Sequence, residues 1–190
     1  MLDLTYHKYF QQVIWIFIII LFSCNDAEYQ LDNESDPENL GLEPPTIFFH
    51  PSEFDAIKVG AKDTLELYCY EVSDAAGAHL QIEFDAGVIT IDTVLTGDFF
   101  RNDTSDPIMF TDPIVFTDQQ NGTLNIYLFY VPSLSSVSAT GTMSMAKVPF
   151  TVKGEGSAPI RYTENTVLRG PSNNSITLNK FGEGSINATQ

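Results

Sequence analysis

Three histidines, two cysteines and 25 carboxylates are the residues of this 190-residue chain whose types could do chemistry. His7, His50 and His79 are far apart in sequence. A metal site or a nucleophile–base pair needs convergent partners, and their spacing supplies none. The serines gather in turn-rich stretches such as Ser133-Leu-Ser-Ser136. With so many carboxylates, any two could be nominated as acid and base, and no pair stands out. Asp103, Asp106 and Asp112 offer oxygen ligands but lack the ordered spacing of a calcium loop. The expectation is a non-enzyme with no metal site and no cofactor. Asn102, Asn121, Asn173 and Asn187 each open an Asn-X-Ser/Thr triplet. They read more simply as turn residues.

Cys24 is the residue with a defined chemistry. Val13 to Phe22 is an unbroken apolar run behind Lys8. It is shorter than the roughly 20 residues a membrane span needs, and it fits the core of a secretory signal. Its end, Leu21-Phe-Ser-Cys24, resembles the bacterial lipobox. There the cysteine sulfur forms a thioether to diacylglycerol, the preceding peptide is removed, and the new amino terminus is acylated. The resemblance implies a signal peptide over 1–23 and an exported lipoprotein anchored at Cys24 in the bacterial cell envelope, on its periplasmic or cell-surface side. Several acyl chains, at about 0.8 kcal/mol per buried CH2, hold a protein where one chain does not. An uncleaved signal anchor, or plain cleavage with Cys24 a bystander, is the alternative. In Leu65-Glu-Leu-Tyr-Cys69, alternation groups Cys69 with Leu65 and Leu67 as a small buried apolar residue. A Cys24–Cys69 bridge is open only if Cys24 carries no lipid.

Of the charged residues, only Asp3 and Lys8 precede Cys24, so the remainder keeps the formal charge of −16. That excludes nucleic acid, whose binding needs basic patches, and suits a self-repelling exported protein. Residues 24–45 hold seven carboxylates and no basic residue, and read as a disordered acidic tether closed by Pro44-Pro45.

From Thr46 the pattern changes to period two, with short alternating runs separated by Gly, Pro, Asn and Asp. Strands are expected near 47–49, 64–72, 79–84, 88–94, 108–116, 124–131, 143–152, 160–163 and 175–179, with no helix. About nine strands imply one all-β domain over 46–190, an antiparallel sandwich. Leu80, Ile82 and Phe84 should face the core, leaving His79, Gln81 and Glu83 outside. Ala146, Val148, Phe150 and Val152 should be core, with Lys147, Thr151 and Lys153 outside. The run Leu124-Asn-Ile-Tyr-Leu-Phe-Tyr130 is apolar on both sides, with Leu124, Ile126, Leu128 and Tyr130 on one and Asn125, Tyr127 and Phe129 on the other. Such a strand lies centrally or offers a recognition surface.

The order of segments resembles the cohesin module, the receptor half of cohesin–dockerin pairs in bacterial cellulosomes and other surface assemblies. The passages that carry the likeness are Val59-Gly-Ala-Lys-Asp-Thr-Leu65, Gly77 to Asp85 with Val88-Ile-Thr-Ile91, Thr93-Val-Leu-Thr-Gly97, Gly141 to Lys153, and Gly156-Ser-Ala-Pro-Ile-Arg-Tyr162, then Gly184-Ser-Ile186. Ala86 stands where that family usually has proline. The resemblance implies a nine-stranded jelly-roll β-sandwich that binds a dockerin on the outer face of its third, fifth, sixth and eighth strands. It places His79, Gln81 and Glu83 on that face, with Asn125, Tyr127 and Phe129 beside them; a one-residue register shift would present Ile126 and Leu128 instead. The implied partner is a dockerin-bearing protein. The alternative is a polysaccharide bound on the same fold, although Trp15, the sole tryptophan, lies in the leader.

Overall fold

The computed structural model describes residues 37, 39–100, 114–118, 122–129 and 138–190, within the compact unit Asn33–Gln190. The expected signal peptide, Cys24, most of the tether, Asp103, Asp106, Asp112, Asn102, Asn121 and Tyr130 lie outside them. The described strands are β1 (Thr46–His50), β2 (Glu53–Lys58), β3 (Lys62–Ala75), β4 (Gly77–Glu83), β5 (Ile89–Ile91), β6 (Leu95–Thr96) and β7 (Ile114–Asp118). They continue with β8 (Thr123–Phe129), β9 (Ala139–Val152), β10 (Gly156–Tyr162), β11 (Val167–Arg169), β12 (Ser175–Ile176) and β13 (Gly184–Thr189). One sheet runs β1-β3-β9-β5, with β6 also on β9. The other holds β7-β8-β4, then β10 and β11, then β13 and β2, with β12 beside β11. No helix among the described residues is long and apolar enough to cross a membrane.

The β-sandwich reading holds, with two corrections. Thirteen strand segments are described where about nine were expected, and β13 pairs with β2 in parallel. The unexpected strand β2 has Phe54 and Ile57 as its inward-leaning apolar residues, three apart rather than two. Ala56 at φ 52° and a register shift against β13 break the alternation there. A bulge adds a residue and erases the period-two signal. Four short strands, β5, β6, β11 and β12, have only two or three residues each.

The long pair β3–β9 carries most of one inner face. Leu65 lies opposite Val148 and Leu67 opposite Ala146, all buried. The register then slips by one, so Ser144, Met145 and Ala146 are buried in succession and Met143 is 45% exposed. Two further irregularities fall where Glu71 and Asp74 adopt positive φ. Their N–H groups leave the ladder and donate instead to Thr142 Oγ1 (2.9 Å) and Thr140 Oγ1 (3.0 Å). From the opposite sheet, Leu80, Ile82, Phe84, Leu124, Ile126 and Leu128 close the core as alternation requires. Tyr162 ties the sheets together. Its ring stacks on Phe49 at 4.2 Å, and its hydroxyl donates to Phe48 O at 3.2 Å.

Cys69 is fully buried between Leu67 and Val72, its thiol donating to Met143 O at 3.4 Å. Burial pushes the thiol up to about 12. The nucleophile is the thiolate, so Cys69 is inert while the domain is folded. In the native chain at neutral pH, iodoacetamide is expected to leave Cys69 unmodified, and in denaturant to label it fully, read on its peptide by mass spectrometry.

At the amino-terminal border the expected tether ends at Pro45, but the chain meets the domain before that. Leu42 is 8% exposed, and Asn179 Nδ2 donates to Pro44 O at 2.8 Å while Asn179 N–H donates to Pro45 O. The composition of 24–45 hides this because one leucine and two prolines make the contact.

Candidate binding face

β4 is the axis of the face. On one side it pairs with β8 without slippage, Gly77 opposite Phe129, His79 opposite Tyr127, Gln81 opposite Asn125 and Glu83 opposite Thr123. With Leu80, Ile82, Leu124, Ile126 and Leu128 buried, period two turns His79, Gln81, Glu83, Asn125, Tyr127 and Phe129 to the outer side. The six residues singled out in the sequence thus share one surface, and the shifted register with Ile126 and Leu128 outside does not occur. β7 continues the sheet beyond β8.

On its other edge, β4 pairs with β10 at Glu83 and Ile82 and with β11 from His79 to Gly77. The ladder is broken at Gln81, and the turn between β10 and β11 fills the break. Thr163 N–H donates to Gln81 O at 2.9 Å, and Gln81 N–H donates to Thr166 Oγ1 at 3.0 Å. Arg161, Val167 and Arg169 therefore join the face although the sequence reading did not place them there. For Arg161 a signal exists: Ala158, Ile160 and Tyr162 alternate as buried residues, which turns Arg161 outward. Val167-Leu-Arg169 is too short to show a period.

The surface is graded along the strands. At the centre, Gln81 Nε2 donates to Asn125 Oδ1 at 2.9 Å, and His79 Nε2 lies 3.0 Å from the same oxygen. Gln81 Oε1 accepts from Thr163 Oγ1 at 2.7 Å and from Asn165 Nδ2 at 2.8 Å. One end is aromatic: the His79 and Tyr127 rings stack 4.4 Å apart and 3° from parallel, and Phe129 is 38% exposed. These rings, with Val167, Arg169 and Pro171, border a groove of about 590 Å³. The other end is charged, with Glu83 opposite Arg161, whose Nε lies 3.9 Å from Glu183. No group of three His, Cys, Asp or Glu residues that could hold a metal occurs among the described residues. The arrangement is a rigid, mixed polar and aromatic platform on a sheet, geometry suited to recognition.

This architecture is a two-sheet β-sandwich with the platform on the outer side of one sheet. The family model described as the cohesin domain matches residues 52–188, and the chain belongs to that family. Among solved structures, it is similar to the third cohesin of ScaC from Acetivibrio cellulolyticus, solved with a ScaB dockerin. That likeness has a TM-score of 0.60 at 14% identity, covering 76% of this chain and 99% of that one. The sixth cohesin of scaffoldin B from the same organism, also in complex with a dockerin, gives 0.57 at 14% identity over 76% and 98%. A type II cohesin domain from its cellulosome gives 0.58 at 17% identity over 75% and 94%. No curated protein matches the chain.

Proposed function

We propose that the chain is a non-enzymatic, lipid-anchored receptor at a bacterial cell envelope that captures a dockerin-bearing protein on the outer face of β7, β8, β4 and β10/β11. The observation that carries the reading is the β4–β8 register, which gathers His79, Gln81, Glu83, Asn125, Tyr127 and Phe129 on one side of a sheet in a cohesin-family chain. Two of the similar cohesins were solved with dockerins bound. The face is built on paired strands and an internal hydrogen-bond network, so docking needs little rearrangement. Lipid anchoring rests on Leu21-Phe-Ser-Cys24 and the apolar run before it. No observation among the described residues favours the polysaccharide alternative.

The test is capture by the immobilised full chain from the native envelope and secreted fractions, with calcium and with a chelator. A dockerin folds around calcium loops, so its carrier is expected in the calcium arm alone. Capture of that carrier in neither arm, by a bait with an intact melting transition, rejects the receptor reading. Independently, the mature chain is expected to begin at Cys24 with diacylglycerol on its sulfur, read by mass spectrometry of the amino-terminal peptide. An amino terminus at Met1, or a Cys24 without lipid, rejects lipid anchoring without touching the binding reading.

A further inference from the structure

The hydrogen bonds at the centre of the face run in one direction, from the turn between β10 and β11 through Gln81 to Asn125. Thr163 Oγ1 accepts Asn165 N–H at 3.2 Å and donates to Gln81 Oε1 at 2.7 Å. Asn165 Nδ2 donates to the same oxygen at 2.8 Å. With its oxygen held by two donors, the Gln81 amide points Nε2 at Asn125, and Asn125 Oδ1 accepts it at 2.9 Å. That oxygen therefore cannot face outward. His79 Nε2, 3.0 Å from it, must be the protonated ring nitrogen. The side left to Asn125 is its Nδ2, on the outer side of the sheet.

We infer that Asn125 is a specificity-determining residue that requires a hydrogen-bond acceptor on the docked partner, and that Thr163 and Asn165 are positioning residues that hold this polarity from a neighbouring turn. The inference rests on the dockerin reading and adds to it the chemistry of one contact. The partner places a carbonyl, carboxylate or hydroxyl oxygen over Asn125. A partner that covers Nδ2 with an apolar or donor group leaves a desolvated donor unmet and is rejected by about 10- to 100-fold. Neither Thr163 nor Asn165 need touch the partner to matter.

Two measurements decide it. The first needs no partner. In the full chain labelled with nitrogen-15, the neutral form of the His79 ring is expected to show its proton on Nε2. The pair Thr163→Val with Asn165→Ala is expected to give a mixture of tautomers, and Thr163→Ser alone to keep the original one. A His79 proton on Nδ1 in the unsubstituted chain overturns the inference. The second uses the calcium-loaded dockerin captured by the full chain. Asn125→Asp keeps the inward oxygen and replaces the outward N–H groups by an acceptor. It is expected to weaken dockerin binding about 100-fold with an unchanged melting transition. Unchanged affinity in Asn125→Asp overturns the inference while leaving the receptor reading intact. Failure of the unsubstituted chain to bind any dockerin removes the receptor reading and this inference with it, whatever the His79 tautomer.

Discussion

Replacing Gly97 with alanine is expected to destabilise the domain by about 3 kcal/mol or more, and thereby to lower its melting temperature by roughly 6–12 °C. A Cβ at position 97 would sit 2.2 Å from Ser144 O, 2.5 Å from Ser144 C and 2.8 Å from Met145 C. All three are backbone atoms, and none can swing aside as a side-chain tip would. They are also held in place. Gly97 N–H donates to Met145 O at 2.9 Å and Phe99 N–H to Ser144 O at 2.8 Å, within the stretch where β9 slips register. Relief of the clash would pull the 97–99 segment off β9 and lift Phe99 and Phe100 from the core, where both are 3% exposed. Gly60→Ala is a fitting contrast. No atom lies within 4 Å of its added methyl, although φ is +87°, so the cost there is conformational alone, about 1 kcal/mol. Thermal unfolding of both variants checks the pair. Equal melting temperatures for Gly97→Ala and the unsubstituted chain would show that β9 yields at the bulge.

Gly97 also shows why part of this fold was legible in residues alone. The passage Thr93-Val-Leu-Thr-Gly97 belongs to an ordered pattern because glycine is the residue that lets β6 and the following turn lie against the β9 backbone. Asp85 marks the neighbouring turn for a different reason. Its Oδ1 accepts Gly87 N–H at 2.7 Å, and its carbonyl accepts Val88 and Ile89 N–H, so the chain reverses out of β4 and into β5. Alternation identified β4, β8 and the second half of β9, whose inner and outer sides keep period two. It failed at β2 and at the β3–β9 end. There, bulges and positive φ change the parity of the chain without changing its composition.

The candidate face divides in the same way. Its six nominated residues are local to two strands, so their side could be read from each strand alone. The contacts that organise them come from residues 82 to 85 positions away in sequence, as in Thr163 and Asn165 on Gln81. No periodicity reports such a contact. Thr163 reads as the last residue of a strand, and Asn165 falls just beyond it. Only the interruption between β10 and β11, filled by that turn, turns them toward β4. Arg169 is set by a similar non-periodic link, its Nη1 donating to Asn173 O at 3.0 Å across the turn to β12.

The double variant Tyr127→Ala with Phe129→Ala is expected to reduce dockerin affinity by about 1,000-fold, equivalent to roughly 4 kcal/mol. Both rings lie at the aromatic end of the face, bordering the groove beside Val167 and Arg169. Aromatic residues seated in such a patch carry the largest truncation costs at interfaces. The rings are neighbours on one strand side, so the pair should lose less than twice a single loss. Stability responds far less. Tyr127 gives up its stack on His79, worth about 0.5–1.5 kcal/mol. Phe129 is already 38% exposed and lies outside the core formed by Leu124, Ile126 and Leu128. Melting should stay cooperative and fall by only a few degrees. Calorimetric titration of the captured dockerin, run beside a thermal melt, separates the two effects. Loss of binding with an intact melt locates the anchor at Tyr127 and Phe129. Undiminished affinity would move it off the aromatic end, toward Glu83 and Arg161, where exposed charges would give an affinity that falls with added salt.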